Sequence, residues 1–268
     1  MPELPEVETT VRGLEKVLLG RRLTRVEARR ADLRRAFPHD LGQRLTGAVV
    51  TGLGRRAKYG LVHTDRADTM IFHLGMSGRW RIDPSESEPH DHLLLATDDG
   101  HALVLNDPRR FGSVDLVPTA ALGAWPAFAA LGPEPFDLTA AELQAKLKGR
   151  SAAIKLLLLD QRIVAGLGNI YVCEALFRAG INPKRAGGKV SRERLERLVP
   201  AIHAVLAEAI EAGGSTLRDY AQPDGELGYF SKSFAVYDRE GAPCPCGGTV
   251  KRFAQGGRST WYCPACQR

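Results

Sequence analysis

The residues best suited to covalent chemistry open the chain: Met1-Pro2-Glu3-Leu4-Pro5-Glu6. Once Met1 is trimmed, Pro2 carries a free secondary amine, with the carboxylate of Glu3 beside it. An amine paired with a carboxyl group can attack an electrophilic carbon and form a Schiff base. An α-amino group has an unperturbed pKa of about 7.7–8.0, so roughly a tenth of it is neutral at pH 7, whereas a lysine at about 10.4 needs a large shift to match it. Most chain termini fray and do nothing. Here Pro5 suits a first helical turn, and Val7, Val11, Leu14 and Leu18 follow at helical spacing. The spacing predicts a helix over 5–18 that anchors the terminus.

A second chemistry lies at the other end. Of five cysteines, Cys244, Cys246, Cys263 and Cys266 crowd the last 25 residues, and Cys173 stands apart. Two close pairs of thiolates suit one tetrahedral, structural zinc with no open position. The pair Cys263-Pro-Ala-Cys266 has ordinary knuckle spacing, while Cys244-Pro245-Cys246 is one residue shorter than usual. Between the pairs, 249–253 and 259–262 read as two strands of a hairpin with a turn over 254–258. So short a ribbon has no core, and metal would supply its folding energy. It would present Arg258 on a rigid mount. Cys173 reads as a small buried hydrophobe.

Three turns carry groups that suit a polyanion. Gly166-Leu167-Gly168-Asn169 leads into a helix whose N-terminal N–H groups can meet phosphate. Arg55-Arg56-Ala57-Lys58 precedes a strand. Asn106-Asp107-Pro108-Arg109-Arg110-Phe111-Gly112, with Met76 on the turn of 73–78, joins cations to apolar side chains that can fill a gap in a base stack. A net charge of +6 fits such a partner.

The elements that must position these groups fall in two parts. Apolar runs at 48–53, 59–63, 69–74, 92–97, 101–106 and 112–117 are short and strand-like, which predicts a β-sandwich or barrel with one N-terminal helix over 1–130. Leu131-Gly132-Pro133-Glu134-Pro135 reads as a linker, and 131–150 holds it with a first helix capped by Thr139 and Glu142. Helical period then predicts helices at 152–160, at 169–178 capped by Asn169, and after Ser191, with Leu195, Leu198, Val199, Ile202, Val205, Leu206 and Ile210 as an apolar stripe. The helical part runs over 151–235, including a mobile loop at 222–233 with few core residues, and 236–268 forms the ribbon. The class is α+β. No apolar run reaches the roughly 20 residues of a membrane span, and no secretion signal is visible, so a cytoplasmic monomer is the expectation, with no membrane and no redox cofactor.

Taken together, Pro2-Glu3-Leu4-Pro5-Glu6-Val7-Glu8, Arg56-Ala57-Lys58-Tyr59, His73-Leu74-Gly75-Met76-Ser77-Gly78, His90-Asp91-His92, Asp107-Pro108-Arg109-Arg110-Phe111-Gly112, Gly132-Pro133-Glu134-Pro135, Gly168-Asn169-Ile170-Tyr171 and the cysteine ribbon carry a resemblance that spans essentially the whole chain. The sequence resembles the formamidopyrimidine-DNA glycosylases, bacterial enzymes that excise 8-oxoguanine and ring-opened purines from duplex DNA. The resemblance implies a helix–two-turn–helix domain and base excision repair by glycosylase and abasic-site lyase steps. It implies Pro2 as nucleophile at the sugar C1′, Glu3 as the acid that helps open the deoxyribose, Lys58 as proton donor in β-elimination, and Arg258 in δ-elimination and phosphate binding. It implies DNA contacts by His73, His90, Arg109, Arg150, Lys155 and Asn169. Met76, Arg109 and Phe111 match the trio that fills the gap left by a flipped nucleotide, with Arg109 facing the orphaned cytosine, and 222–233 matches the lid over the extruded base. Nucleoid association would follow from DNA binding. The short first cysteine pair departs from the family's usual two-residue spacing. Two other readings are an endonuclease VIII-like glycosylase for oxidised pyrimidines, and a zinc-ribbon damage-binding protein without catalysis. The Leu4-Pro5 opening and the Met76, Arg109 and Phe111 set favour the purine enzyme.

Overall fold

The computed structural model describes residues 2–217 and 220–268. They form two compact units, one of 1–129 with 210–231 and one of 130–209 with 232–268. The stretch 210–231 therefore belongs with the β-rich unit rather than with the helices that precede it in sequence.

In the first unit, α1 (Leu4–Leu18) is followed by β1 (Leu23–Ala28), α2 (Leu41–Leu45), β2 (Val50–Arg56), β3 (Tyr59–Thr64), β4 (Asp68–His73), β5 (Arg79–Ile82), β6 (Asp91–Thr97), β7 (Ala102–Asn106), β8 (Ser113–Pro118) and the short α3 (Pro126–Ala129). Two four-stranded antiparallel sheets result, in the orders β1-β6-β7-β5 and β2-β3-β4-β8. Their inner faces share one core. Leu93, Leu95, Leu103 and Leu105 come from the first sheet, and Val62, Met70, Phe72, Val114 and Leu116 from the second. The Phe72 and Trp80 rings meet edge-on across it at 5.6 Å. Alternation along each strand puts these side chains inward, as a sandwich requires. Val7, Val11, Leu14 and Leu18 of α1 join the same core, so the helix that follows Pro2 is held by its whole apolar face. The expected strands are present; β1, α2 and β5 add to them.

In the second unit, α4 (Ala140–Leu147), α5 (Ile154–Leu159), α6 (Asn169–Arg178) and α7 (Arg192–Glu211, whose last two residues belong to the first unit) precede the ribbon strands β9 (Lys251–Gln255) and β10 (Arg258–Tyr262). Thr139 caps α4 as expected: its hydroxyl accepts from the Glu142 N–H at 3.2 Å, and the Glu142 carboxylate accepts from the Thr139 N–H at 2.9 Å. Asn169 is not a cap. Gly168 holds that position, and Asn169 is the first helical residue. Leu195, Leu198, Val199, Ile202, Val205 and Leu206 are buried along α7, with Ile210 partly exposed. Cys173 packs with Val236, Val250 and Trp261, joining α6 to the ribbon. No helix among the described residues is long and apolar enough to cross a membrane.

Candidate functional site

Pro2 and Glu3 are buried at the head of α1. Met1 lies outside the described residues. Glu3 is the N-cap of α1 and shares a reciprocal capping box with Glu6; its backbone N–H donates to Glu6 Oε2 at 2.8 Å. The other Glu6 oxygen accepts the N–H of Ser215 at 2.8 Å, and the Glu6 carbonyl accepts the Tyr220 hydroxyl at 3.3 Å. Glu6 is only 2% exposed. One buried carboxylate thus fixes the residue beside Pro2 and also captures a segment more than two hundred positions away. This explains why 210–231 lies in the first unit. Glu6 carries no local sequence signal beyond its place in the opening motif.

Lys58 sits in the two-residue turn joining β2 to β3, where Ala57 takes φ +52° and Arg56 pairs with Tyr59. Arg55 braces this turn against α1. Its Nε donates to Glu8 at 2.9 Å and its Nη1 to the Ala57 carbonyl at 3.0 Å. Lys58 is 8% exposed. Burial holds the pKa of His73 down at about 4, and the Lys58 charge adds to the effect. The His73 ring is therefore neutral near pH 7. Its Nδ1 accepts the Gly75 N–H at 3.0 Å, and its ring lies tilted against that of Tyr59 with centroids 4.8 Å apart. That hydrogen bond shapes the turn carrying Met76.

Met76 and Phe111 are 37% and 44% exposed on neighbouring turns, and the Arg109 guanidinium lies 4.8 Å from the Phe111 ring centroid. A Cβ on Gly75 (φ +62°) would come within 2.3 Å of the Phe111 carbonyl carbon, so only glycine lets these turns approach so closely. The expected trio is thus brought together. His90 is exposed in the left-handed region, at φ +75°, and its ring lies 6.1 Å from that of His92.

The segment read as a mobile loop with few core residues is held at both ends. Pro223 lies against Gly13 of α1 and its carbonyl accepts the Ile82 N–H at 2.9 Å. Gly228 donates to the Thr216 hydroxyl at 2.8 Å, and Phe230, 2% exposed, donates to the Gly214 carbonyl at 3.1 Å. Asp224–Leu227 forms an exposed tip between these anchors.

In the second unit, Lys155 requires a correction. It is 0% exposed, so this side chain does not face solvent as a DNA contact would. An ammonium cannot be buried without hydrogen-bond acceptors. It finds the Ser259 carbonyl at 3.0 Å and the Thr260 hydroxyl at 2.7 Å. Asn169 donates through Nδ2 to the same Ser259 carbonyl at 3.0 Å, while its buried Oδ1 has no hydrogen-bond partner among the described residues. Two donors from the helices thus fix the residue next to Arg258. Arg258 is the exposed first residue of β10, after a two-residue turn of Gly256 and Gly257 at φ +57° and +72°. Such a turn matches the twist of the strands and favours glycine. Arg150 is exposed just beyond the end of α4.

The Sγ atoms of Cys244, Cys246, Cys263 and Cys266 all lie within 4.8 Å of one another. Three of the pairs stand at 3.3, 3.5 and 3.9 Å. A zinc ion with four thiolates at about 2.3 Å spans tetrahedral edges of roughly 3.8 Å. The set fits one structural zinc, so the single residue between Cys244 and Cys246 suffices. Gly248 makes room for it: a Cβ there would fall 2.8 Å from Ala265 and 3.0 Å from the Cys263 sulfur.

Three family models match the chain: the formamidopyrimidine-DNA glycosylase N-terminal domain over 1–114, the H2TH domain of the same enzymes over 131–221, and a zinc finger found in FPG and IleRS over 241–268. A curated formamidopyrimidine-DNA glycosylase of Novosphingobium aromaticivorans is 69% identical over the full length of both chains, and one of Rhizorhabdus wittichii is 68% identical with the same coverage. Among solved structures, the Thermus thermophilus FPG protein is similar with a TM-score of 0.89 at 41% identity, covering 99% of this chain and 98% of its own. The Lactococcus lactis protein in complex with DNA containing an abasic site gives a TM-score of 0.92 at 33% identity, with both chains fully covered. The β-sandwich, the helical domain and the four-cysteine ribbon belong together in one lineage, and this chain is a member of the formamidopyrimidine-DNA glycosylase family.

Proposed function

We propose that this protein is a bifunctional DNA glycosylase and abasic-site lyase of base excision repair, excising oxidised purines such as 8-oxoguanine and formamidopyrimidines from duplex DNA. The observation that carries the reading is Pro2, buried at the head of α1, next to Glu3, which forms a buried capping box with Glu6. Curated relatives named for this activity at up to 69% identity support it, as do similar Lactococcus lactis structures bound to damaged DNA.

The chemistry follows from the groups present. A base inside a duplex cannot be reached, so the nucleotide is flipped out. Met76, Arg109 and Phe111 fill the gap and offset part of the unstacking cost of a few kcal/mol, with Arg109 toward the orphaned cytosine. The neutral Pro2 nitrogen attacks C1′ and the damaged base leaves. Glu3 protonates the sugar oxygen as the ring opens, which leaves an iminium between Pro2 and C1′. The iminium acidifies the C2′ proton, whose loss expels the 3′ phosphate. Lys58 serves the proton transfers of this β-elimination, and Arg258 those of the δ-elimination while holding phosphate. His90, Arg150 and Asn169 contact the backbone, and His73 acts by shaping the Met76 turn. Such contacts give salt-dependent affinity that ignores sequence. Lys155 supports Arg258 from beneath. Zinc, when bound, supplies folding energy to the ribbon. The protein acts in the cytoplasm, as a monomer on its DNA.

Borohydride trapping on a duplex containing 8-oxoguanine opposite cytosine tests the reading. The wild-type chain, with Met1 removed as judged by intact mass, cross-links to DNA, and Pro2→Gly cross-links at least about a hundredfold less, in line with loss of a covalent nucleophile. Equal trapping by the variant would end this proposal. A duplex with thymine glycol opposite adenine, cleaved faster than the 8-oxoguanine substrate, would transfer the chain to pyrimidine repair.

A further inference from the structure

We infer that Asp107 is the positioning residue of the DNA wedge, and that its buried carboxylate sets how well Arg109 reads the base opposite the lesion. The inference rests on the proposed wedge role of Met76, Arg109 and Phe111. It concerns a residue with no assigned part in that role.

Asp107 is 0% exposed, yet it carries a carboxylate. A buried carboxylate is costly unless its oxygens find donors. Both do. Oδ1 accepts the Ser77 hydroxyl at 2.6 Å, and Oδ2 accepts the Gly112 N–H at 2.8 Å. Ser77 belongs to the turn that carries Met76. Gly112 follows Phe111 directly. One side chain therefore ties the two wedge-bearing turns together.

The tie extends to Arg109. The Ser77 oxygen, whose hydroxyl hydrogen points to Asp107, accepts the Arg109 backbone N–H at 3.1 Å. The Asp107 carbonyl accepts the Arg110 N–H at 3.2 Å, where Arg110 takes φ +57°. The same carbonyl lies 3.0 Å from His92 Nε2. A carbonyl can only accept, so that nitrogen carries the proton. Burial lowers the His92 pKa, which keeps the ring neutral. Direct hydrogen bonds thus hold the Asp107 main chain to His92, and run from the Asp107 carboxylate through Ser77 to the Arg109 main chain.

A wedge must hold its shape while bases press on it. Side chains already fixed before binding lose less freedom on insertion. The Arg109 guanidinium, resting on Phe111, is aimed by a backbone that Asp107 fixes at both ends of the turn. Asparagine at 107 keeps the shape but has one acceptor oxygen, so either the Ser77 hydroxyl or the Gly112 N–H loses its acceptor. The wedge then persists with a looser Arg109.

The test compares Asp107→Asn and Ser77→Ala with wild type on three substrates: 8-oxoguanine opposite cytosine, 8-oxoguanine opposite adenine, and a single-stranded abasic site, which needs no wedge. The preference for cytosine over adenine should fall by about tenfold in both variants, comparable to losing one good base contact. The fall should appear in KM for the duplex, while cleavage and borohydride trapping on the single strand stay within about twofold of wild type. The double variant should lose less than the sum of the two single losses, since the side chains at 77 and 107 act through a shared hydrogen bond. Unchanged base preference in both variants would overturn the inference, as would equal losses on duplex and single strand, which would mean a general structural role. Failure of the wild type to trap on any substrate would instead sink the enzymatic reading itself.

Discussion

The N-terminal site and the zinc ribbon present their working groups by opposite electrostatic means. Around Pro2 and the turns of Met76, Arg109 and Phe111, buried carboxylates do the holding. Glu6 and Asp107 each use both carboxylate oxygens, one for a donor nearby in sequence and one for a donor far away: Glu3 and Ser215 N–H for Glu6, Gly112 N–H and the Ser77 hydroxyl for Asp107. Beneath Arg258, a buried cation does it: Lys155 donates into a carbonyl and a hydroxyl of β10. The difference follows from what each region lacks. The sandwich has a large core and needs only its loose ends aligned, and unsatisfied loop N–H groups call for acceptors. The ribbon has almost no core of its own, and its strand carbonyl calls for a donor. Metal supplies the remainder of its stability.

The comparison breaks most readily at the metal. Chelation, or Cys263→Ser, should unfold the ribbon, because structural zinc contributes roughly 10–16 kcal/mol of apparent binding energy in small fingers. Near-ultraviolet signals from Trp261 and Tyr262 should be lost, while the sandwich keeps its cooperative melting transition. Loss of both transitions together would mean that the two regions do not rely on separate supports.

Glu6→Ala should come next. It leaves the N–H groups of Glu3 and Ser215 without this acceptor, at about 1–3 kcal/mol for each buried donor. Thermal unfolding would read the loss, and hydrogen exchange at Ser215 should accelerate with it. In the same experiment on wild type, the Asp224–Leu227 tip should exchange quickly while Gly228 and Phe230 stay protected.

Lys155→Met is the counterpart on the other side. Asn169 still donates to the Ser259 carbonyl and Thr260 still reaches Gln255, so the cost should be smaller, about 1–2 kcal/mol. Zinc content should stay near one ion per chain. Binding to a phosphate backbone should weaken as Arg258 loses its fixed mount. Unchanged DNA affinity would show that the buried cation serves folding alone.

The smallest effect concerns pH. His73 has its folded pKa lowered to about 4 by burial, with Lys58 adding to the shift. The unfolded chain takes up this proton near 6.5 and the folded chain only near 4. Stability from this group is therefore complete above about pH 6.5 and lost as pH falls toward 4. His73→Gln should flatten that part of the melting-temperature profile without moving the midpoint at pH 8 by more than about a degree or two.

Much of the fold is legible in the sequence because its signals are local. α1 announces itself through Val7, Val11, Leu14 and Leu18, and α4 through the Thr139–Glu142 box. β1 escapes such a reading because a register shift between Leu23 and Arg25 breaks its alternation. β5 escapes it because Arg79-Trp80-Arg81-Ile82 shows a single fully buried side chain. The cysteine site is readable from spacing alone. Pairing at long range is not. Nothing near Glu6 shows that Ser215 will be its partner, so sequence order groups 210–231 with the helices beside it. Nothing in Ile154-Lys155-Leu156 separates an ammonium that meets DNA from one enclosed beneath a hairpin.

The Glu6 carboxylate has a consequence for synthesis. It joins two residues 209 positions apart in sequence, itself and Ser215. Contacts so far apart form late, since the chain between them must first be made and folded. A ribosome that has delivered the whole sandwich and most of the helices has still not delivered the second partner of that carboxylate. The buried N-terminal end of the polypeptide thus gains this last support only after α7 has been made.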